Sequence, residues 1–91
     1  MGMLIKTNGT MEEIMPTDGN IFKLDELQKL VGGYIELVSI PPKLMIVNEE
    51  AKIKPGFSIN KIATQLTRGR IAEDDYILGD VLVCTPSEMG K

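Results

Sequence analysis

Histidine and tryptophan are absent from these 91 residues, and cysteine occurs once. Without an imidazole, the common zinc and haem ligand sets and the Ser-His-Asp or Cys-His catalytic pairs are missing. A single thiol cannot close an internal disulfide, which suits a reducing compartment, so a cytoplasmic location is expected. Aromatic residues make up only 4% of the chain, so the core has to be aliphatic, with six methionines as adaptable filler. No apolar run approaches the ~20 residues of a bilayer span, and the first residues lack the charged and apolar regions of a signal peptide. Met1-Gly2 opens like a myristoylation site, but Lys6 stands where Ser or Thr is required. No membrane association is therefore expected. Positive charge is not in excess either: ten Lys and Arg against thirteen Asp and Glu give a net charge of −3. Direct nucleic-acid binding is accordingly not expected.

What is present is a hydrophobic fraction of 43%, enough for a folded globule of one domain over residues 1–91. The most informative stretch is Leu27 to Leu37. Leu24, Leu27, Leu30 and Val31 fall on one helical face, Gly32 can take the left-handed stop, and Gly33 eases the reversal. Tyr34 to Ile40 then has strand composition. Upstream, Met3–Thr7 and Thr10–Met15 flank Asn8-Gly9, the dipeptide of two-residue type I′ hairpins. Phe22 precedes a helix running from Lys23 or Leu24 to Val31, placed as a hydrophobic staple. Pro41-Pro42 forces a turn into a fourth strand, Lys43–Val47, whose continuous apolar run suggests burial on both faces. Ser58 reads as the N-cap of a second helix with Ile59, Ile62, Ala63 and Leu66 on its apolar face, and Gly69 as its stop. Glu73-Asp74-Asp75 reads as a solvated loop. Tyr76–Cys84 reads as a last strand broken at Gly79-Asp80, and residues 85–91 as a flexible tail. The expected fold is α+β: a mainly antiparallel sheet in ββαββαβ order with two helices packed on one face.

These residues resemble a family of small uncharacterised proteins of bacteriophages, plasmids and conjugative elements. The resemblance is carried by Leu27 to Glu36, Asn48 to Glu50, Asn60 to Thr64 and Ile77 to Val83. It departs after Glu50, where the family often continues with glycine and a Leu-Pro-rich turn but Ala51 and Pro55-Gly56 stand here. The resemblance implies an accessory protein of a mobile element, in the host cytoplasm if phage-encoded. It brings no catalytic residues.

Candidate binding groups are polar residues at strand and helix ends. Asn48 and Glu49 close the fourth strand, where ligand groups often sit. Ser58, Asn60, Lys61 and Thr64 surround the start of the second helix, whose amides could meet a phosphate, and Arg68 and Arg70 could grip an anion. Tyr34 could stack on a base. Each has a bland alternative: a turn, a cap, a solvated face, or packing over the core. Cys84 reads as a buried structural thiol. No catalytic residue, metal ligand or cofactor is expected. The function expected is non-enzymatic binding, either of a host factor or of a small anionic, nucleotide-like ligand, with a homo-oligomer formed through open strand edges. A purely structural or assembly role is the alternative, and a metal-assisted hydrolase using Glu49, Glu50 and Asp80 is a more remote one.

Overall fold

A computed structural model describes residues 1–90. The chain runs β1 (Gly2–Ile5), β2 (Met11–Ile14), α1 (Leu24–Val31), β3 (Ile35–Ile40), β4 (Lys43–Asn48), α2 (Lys61–Leu66) and β5 (Val81–Cys84), followed by a 3-10 turn at Pro86–Met89. This is an α+β fold in ββαββαβ order. Its five strands pair antiparallel in the spatial order β2-β1-β5-β4-β3, so β2 and β3 are the edges.

Side chains alternate across a sheet, and here both parities are apolar. Leu4, Ile46, Leu82 and Cys84 form one face, on which Leu27 and Val31 of α1 and Phe22 pack. Burying Leu27 and Val31 is worth roughly 1.5–3 kcal/mol each. Ile5, Met45, Val47 and Val81 form the opposite face, closed by Ala63 of α2 and by Ile77. Leu27 and Val31 of α1 thus meet one face, and Ala63 of α2 meets the other. The cause is the apolar run of β4, which leaves neither side of the sheet able to stay in water.

Local signals explain the joints. Glu26 Oε2 accepts from Lys23 N at 2.9 Å, and its other oxygen accepts from Thr17 N at 2.7 Å, tying the start of α1 to the preceding loop. The Thr17 hydroxyl bonds the same carboxylate, and together with the Lys23 and Thr17 amides it holds the Glu26 acid below its ordinary range. Gly32 stops the helix in the left-handed region (φ 85°), as the sequence reading requires. Leu24, expected on the apolar stripe, is exposed instead.

The β1–β2 turn differs from the expected type I′. Only Gly9 has positive φ; Lys6 O accepts from Gly9 N at 3.0 Å, and Lys6 N donates to Thr10 O at 2.9 Å. That is a three-residue loop closed by a left-handed glycine. Asn8 favours it by accepting from Thr10 N at 3.0 Å, which a two-residue turn would not allow. The segment expected to fray is docked. Glu88 is buried and its carbonyl accepts from Phe22 N at 2.8 Å, while Met89 packs against the α1 face. Lys91 lies outside the described residues.

The second helix starts two residues later than expected. Ser58–Asn60 is extended: Ile59 bridges Leu78, Asn60 N donates to Ile77 O at 2.8 Å, and Ser58 O accepts from Gly79 N at 2.9 Å. Asn60, not Ser58, is the N-cap, accepting from Ala63 N at 3.0 Å. The buried face is therefore Asn60, Ala63, Thr64 and Thr67, one position on from the expected Ile59, Ile62, Ala63 and Leu66; Ile59 and Leu66 are exposed.

A candidate ligand cleft beside Phe57

Three of the expected binding residues are built into the fold. Asn60 is 0% exposed. Its Nδ2 donates to Ile5 O and to Gly79 O, both at 2.9 Å, while its Oδ1 caps α2. One amide thereby joins β1, the Gly79 bend and α2. Thr64 Oγ1 donates to Asn60 O at 2.8 Å and accepts from Ile77 N at 2.9 Å. A threonine on a short buried helix face is tolerated because its hydroxyl bonds back to the preceding turn. Asn48 Nδ2 donates to Val31 O at 3.1 Å, and its Oδ1 accepts from Glu50 N at 2.8 Å, latching the end of α1 to the end of β4. Gly33 allows this approach, since a Cβ there would lie 3.1 Å from Asn48 Nδ2.

The other expected residues are dispersed. Glu49 lines a hollow with Asn48, Lys52, Asp75 and Tyr76, in which Lys52 pairs with the Asp75 carboxylate and sits 5.0 Å from the centre of the Tyr76 ring. Lys61 lies on another side, in a hollow with Lys6 and the β1–β2 loop. Arg68 Nη1 donates to Glu73 O at 3.1 Å, fastening the Glu73–Asp75 loop. Arg70 and Tyr34 are exposed and line none of these hollows. The carboxylates of the hydrolase alternative also separate: Asp80 accepts from Thr7 N at 3.1 Å in a cleft away from Glu49. Among the described residues, no group of three or more acidic or thiol side chains could hold a metal ion.

One cleft does gather diverse chemistry. It has a volume of about 360 Å³ and is lined by Thr7, Lys29, Phe57, Ser58, Asp80 and by glycines 32, 56 and 79. That volume falls within the roughly 300–1,000 Å³ usual for small-molecule sites. Phe57 is its aromatic element. The ring lies between two bends: a Cβ on Gly79 would come within 3.0 Å of Phe57 Cδ1, and one on Gly32 within 3.8 Å of Cε1. Both glycines have positive φ, so each bend suits glycine for its conformation as well as for its room. Lys29, in the last turn of α1, supplies a cation. Ser58 and Thr7 carry hydroxyls, and the Asp80 carboxylate can accept from an amine or hydroxyl. Of the polar residues expected from the sequence, Ser58 and Asp80 are here. Phe57 was missed because an isolated aromatic in a loop has no periodicity; its signal was the neighbouring Pro55-Gly56 together with the break at Gly79-Asp80.

Cys84 is the one thiol. It is buried in β5, and desolvation, with the Glu88 carboxylate nearby, pushes its pKa up to about 11, so it is not a poised nucleophile. Among the described residues, no helix is long and apolar enough to cross a membrane.

No curated protein and no solved structure matches the chain. Over residues 1–91 it does match one family, described as a domain of unknown function (DUF3846), and it belongs to that family.

Proposed function

We propose that this chain is a non-enzymatic binding protein of a bacteriophage or another mobile genetic element, and that it sequesters a small anionic, nucleotide-like ligand in the Phe57 cleft. The mobile-element setting rests on the resemblance of the Leu27–Glu36 and Ile77–Val83 strings. The observation that carries the ligand class is the meeting of an aromatic ring, a lysine and two hydroxyls in one hollow of suitable size. A planar base finds a stacking surface on Phe57, a phosphate finds Lys29, and the hydroxyls and Asp80 meet the polar edge of base or sugar. This cleft replaces the start of α2 as the anion site, because Asn60 and Thr64 are committed to the fold and Lys61 faces a different hollow.

Calorimetry against linear and cyclic nucleotides, with inorganic phosphate as a control, tests the reading. Binding is expected for at least one nucleotide class. Phe57→Leu, which keeps an apolar side chain but removes the ring face, should lose about 1–3 kcal/mol of affinity, the usual worth of base stacking. Lys29→Ala should weaken binding and flatten its salt dependence. Silence across the panel, or binding indifferent to both substitutions, would sink the proposal.

A further inference from the structure

The two open edges of the sheet are not equivalent, and the difference identifies what pairs with one of them. Edge β2 is four residues long and carries Glu12 and Glu13 at its centre; β3 is six residues long and carries one charge, Glu36. A long, mainly apolar edge with few charges invites another strand, whereas closely spaced charges repel it.

The phase of β3 is fixed by one hydrogen bond. Tyr34 O accepts from Glu49 N at 2.8 Å, and β3 pairs with β4 in the register Ile35↔Asn48 to Ile40↔Lys43. In an antiparallel ladder, alternate residues turn both backbone groups to the same neighbour. Tyr34, Glu36, Val38 and Ile40 therefore bond β4, while Ile35, Leu37 and Ser39 present N–H and C=O outward. Those outward residues are symmetric about Leu37. A second β3 laid antiparallel, with the two-fold axis at Leu37, sets Leu37 opposite Leu37, Ile35 opposite Ser39 and Glu36 opposite Val38. Every outward donor then meets an outward acceptor, and no like charges face each other. Leu37, 37% exposed, gains an apolar neighbour across the axis. The same operation on β2 fails. Lys6 N bonds Thr10 O, so Met11 and Glu13 face outward, and centring the axis on residue 12 or 13 sets two carboxylates opposite each other.

We infer that a second copy of this chain pairs with β3, edge to edge about Leu37, joining two five-stranded sheets into one of ten strands. The closed two-fold contact leaves the glutamate-guarded β2 edges at both ends, so the assembly stops at two.

Sedimentation of the full chain, with amide exchange read residue by residue, tests this. The expected mass is twice the 10.0 kDa of one chain, with slow exchange at the amides of Ile35, Leu37 and Ser39. Ser39→Pro removes an outward donor and no β4 bond, and Leu37→Lys sets two ammonium groups face to face; both should give monomers with unchanged secondary structure. If the proline variant fails to fold, the lysine variant decides. Glu13→Gln on β2 should leave the dimer intact. A monomeric parent chain, a dimer indifferent to Leu37→Lys, or fast exchange at those three amides within a dimer would overturn the inference.

Discussion

Asn60 offers a test in which two roles of one side chain predict opposite orders of stability. Its Oδ1 caps α2, and its Nδ2 holds the carbonyls of Ile5 and Gly79 at 2.9 Å each, at 0% exposure. As a cap alone, Asn and Asp are nearly equivalent, and Ala costs about 1 kcal/mol. As a three-way joint, Asn60→Ala removes three hydrogen bonds and leaves Gly79 O and Ala63 N without these partners, while Ile5 O keeps its ladder bond to Val81 of β5. At about 1 kcal/mol for each bond lost and more for the buried groups left unpaired, the loss is roughly 3–5 kcal/mol. Total stability for a chain of this size is roughly 5–14 kcal/mol. Asn60→Asp keeps the cap but aims a carboxylate oxygen at two carbonyl oxygens in a fully buried site, so it should cost at least as much as Ala. Urea titration followed by circular dichroism measures both. In thermal melts each kcal/mol corresponds to about 4–8 °C in a domain of this size, so Asn60→Ala should fall by well over 10 °C. An Asp variant within about 1 kcal/mol of the parent would show that Asn60 is an ordinary cap, and the joint between β1, the Gly79 bend and α2 would have to be sought elsewhere.

Other outcomes follow from the same geometry. Asn48→Ala should cost about 2 kcal/mol by freeing Val31 O and Glu50 N, and should raise exchange rates at the end of α1, measurable by hydrogen exchange. Cys84 should be inert to a thiol reagent at pH 8 while folded and react fully in denaturant; rapid labelling of the native chain would contradict its burial. Glu26 is held below its ordinary pKa of 4.5 by the Thr17 hydroxyl first and then by the Lys23 and Thr17 amides. Its folded value lies below its unfolded one, so its contribution is complete above pH 4.5 and fades as pH falls through the lower, folded value. Glu26→Gln should make the acid limb of a melting-temperature profile shallower, leaving the part due to Asp18, which the Asn20 and Ile21 amides hold down in the same way.

Elements marked by backbone chemistry were legible in the sequence. Gly32 ends α1, Pro41-Pro42 turns β3 into β4, and Gly79 breaks the last strand where a close approach was expected. The continuous apolar run of β4 also announced burial on both sides. The phase of α2 was not legible. Apolar periodicity selects Ile59, Ile62, Ala63 and Leu66, yet the inward positions are Asn60, Ala63, Thr64 and Thr67. A helix of six residues is too short for its pattern to resist tertiary contacts, and here the hydrogen bonds of Asn60 and Thr64 set its rotation. For the same reason, polar residues that looked available for a ligand are largely structural. The cleft depends on Phe57 meeting Gly32 and Gly79, a contact between segments far apart in sequence, and no local motif encodes it.

Backbone amide shifts recorded during titration with the tightest nucleotide of the panel test the location of the site most directly. The expected perturbations centre on Gly32, Gly56 to Ser58, and Gly79 to Asp80, with Lys61, Arg70 and Glu49 unmoved. Perturbations centred instead on Lys61, on Arg70 or on the Asn48–Glu50 turn would contradict the assignment of the ligand to the Phe57 cleft.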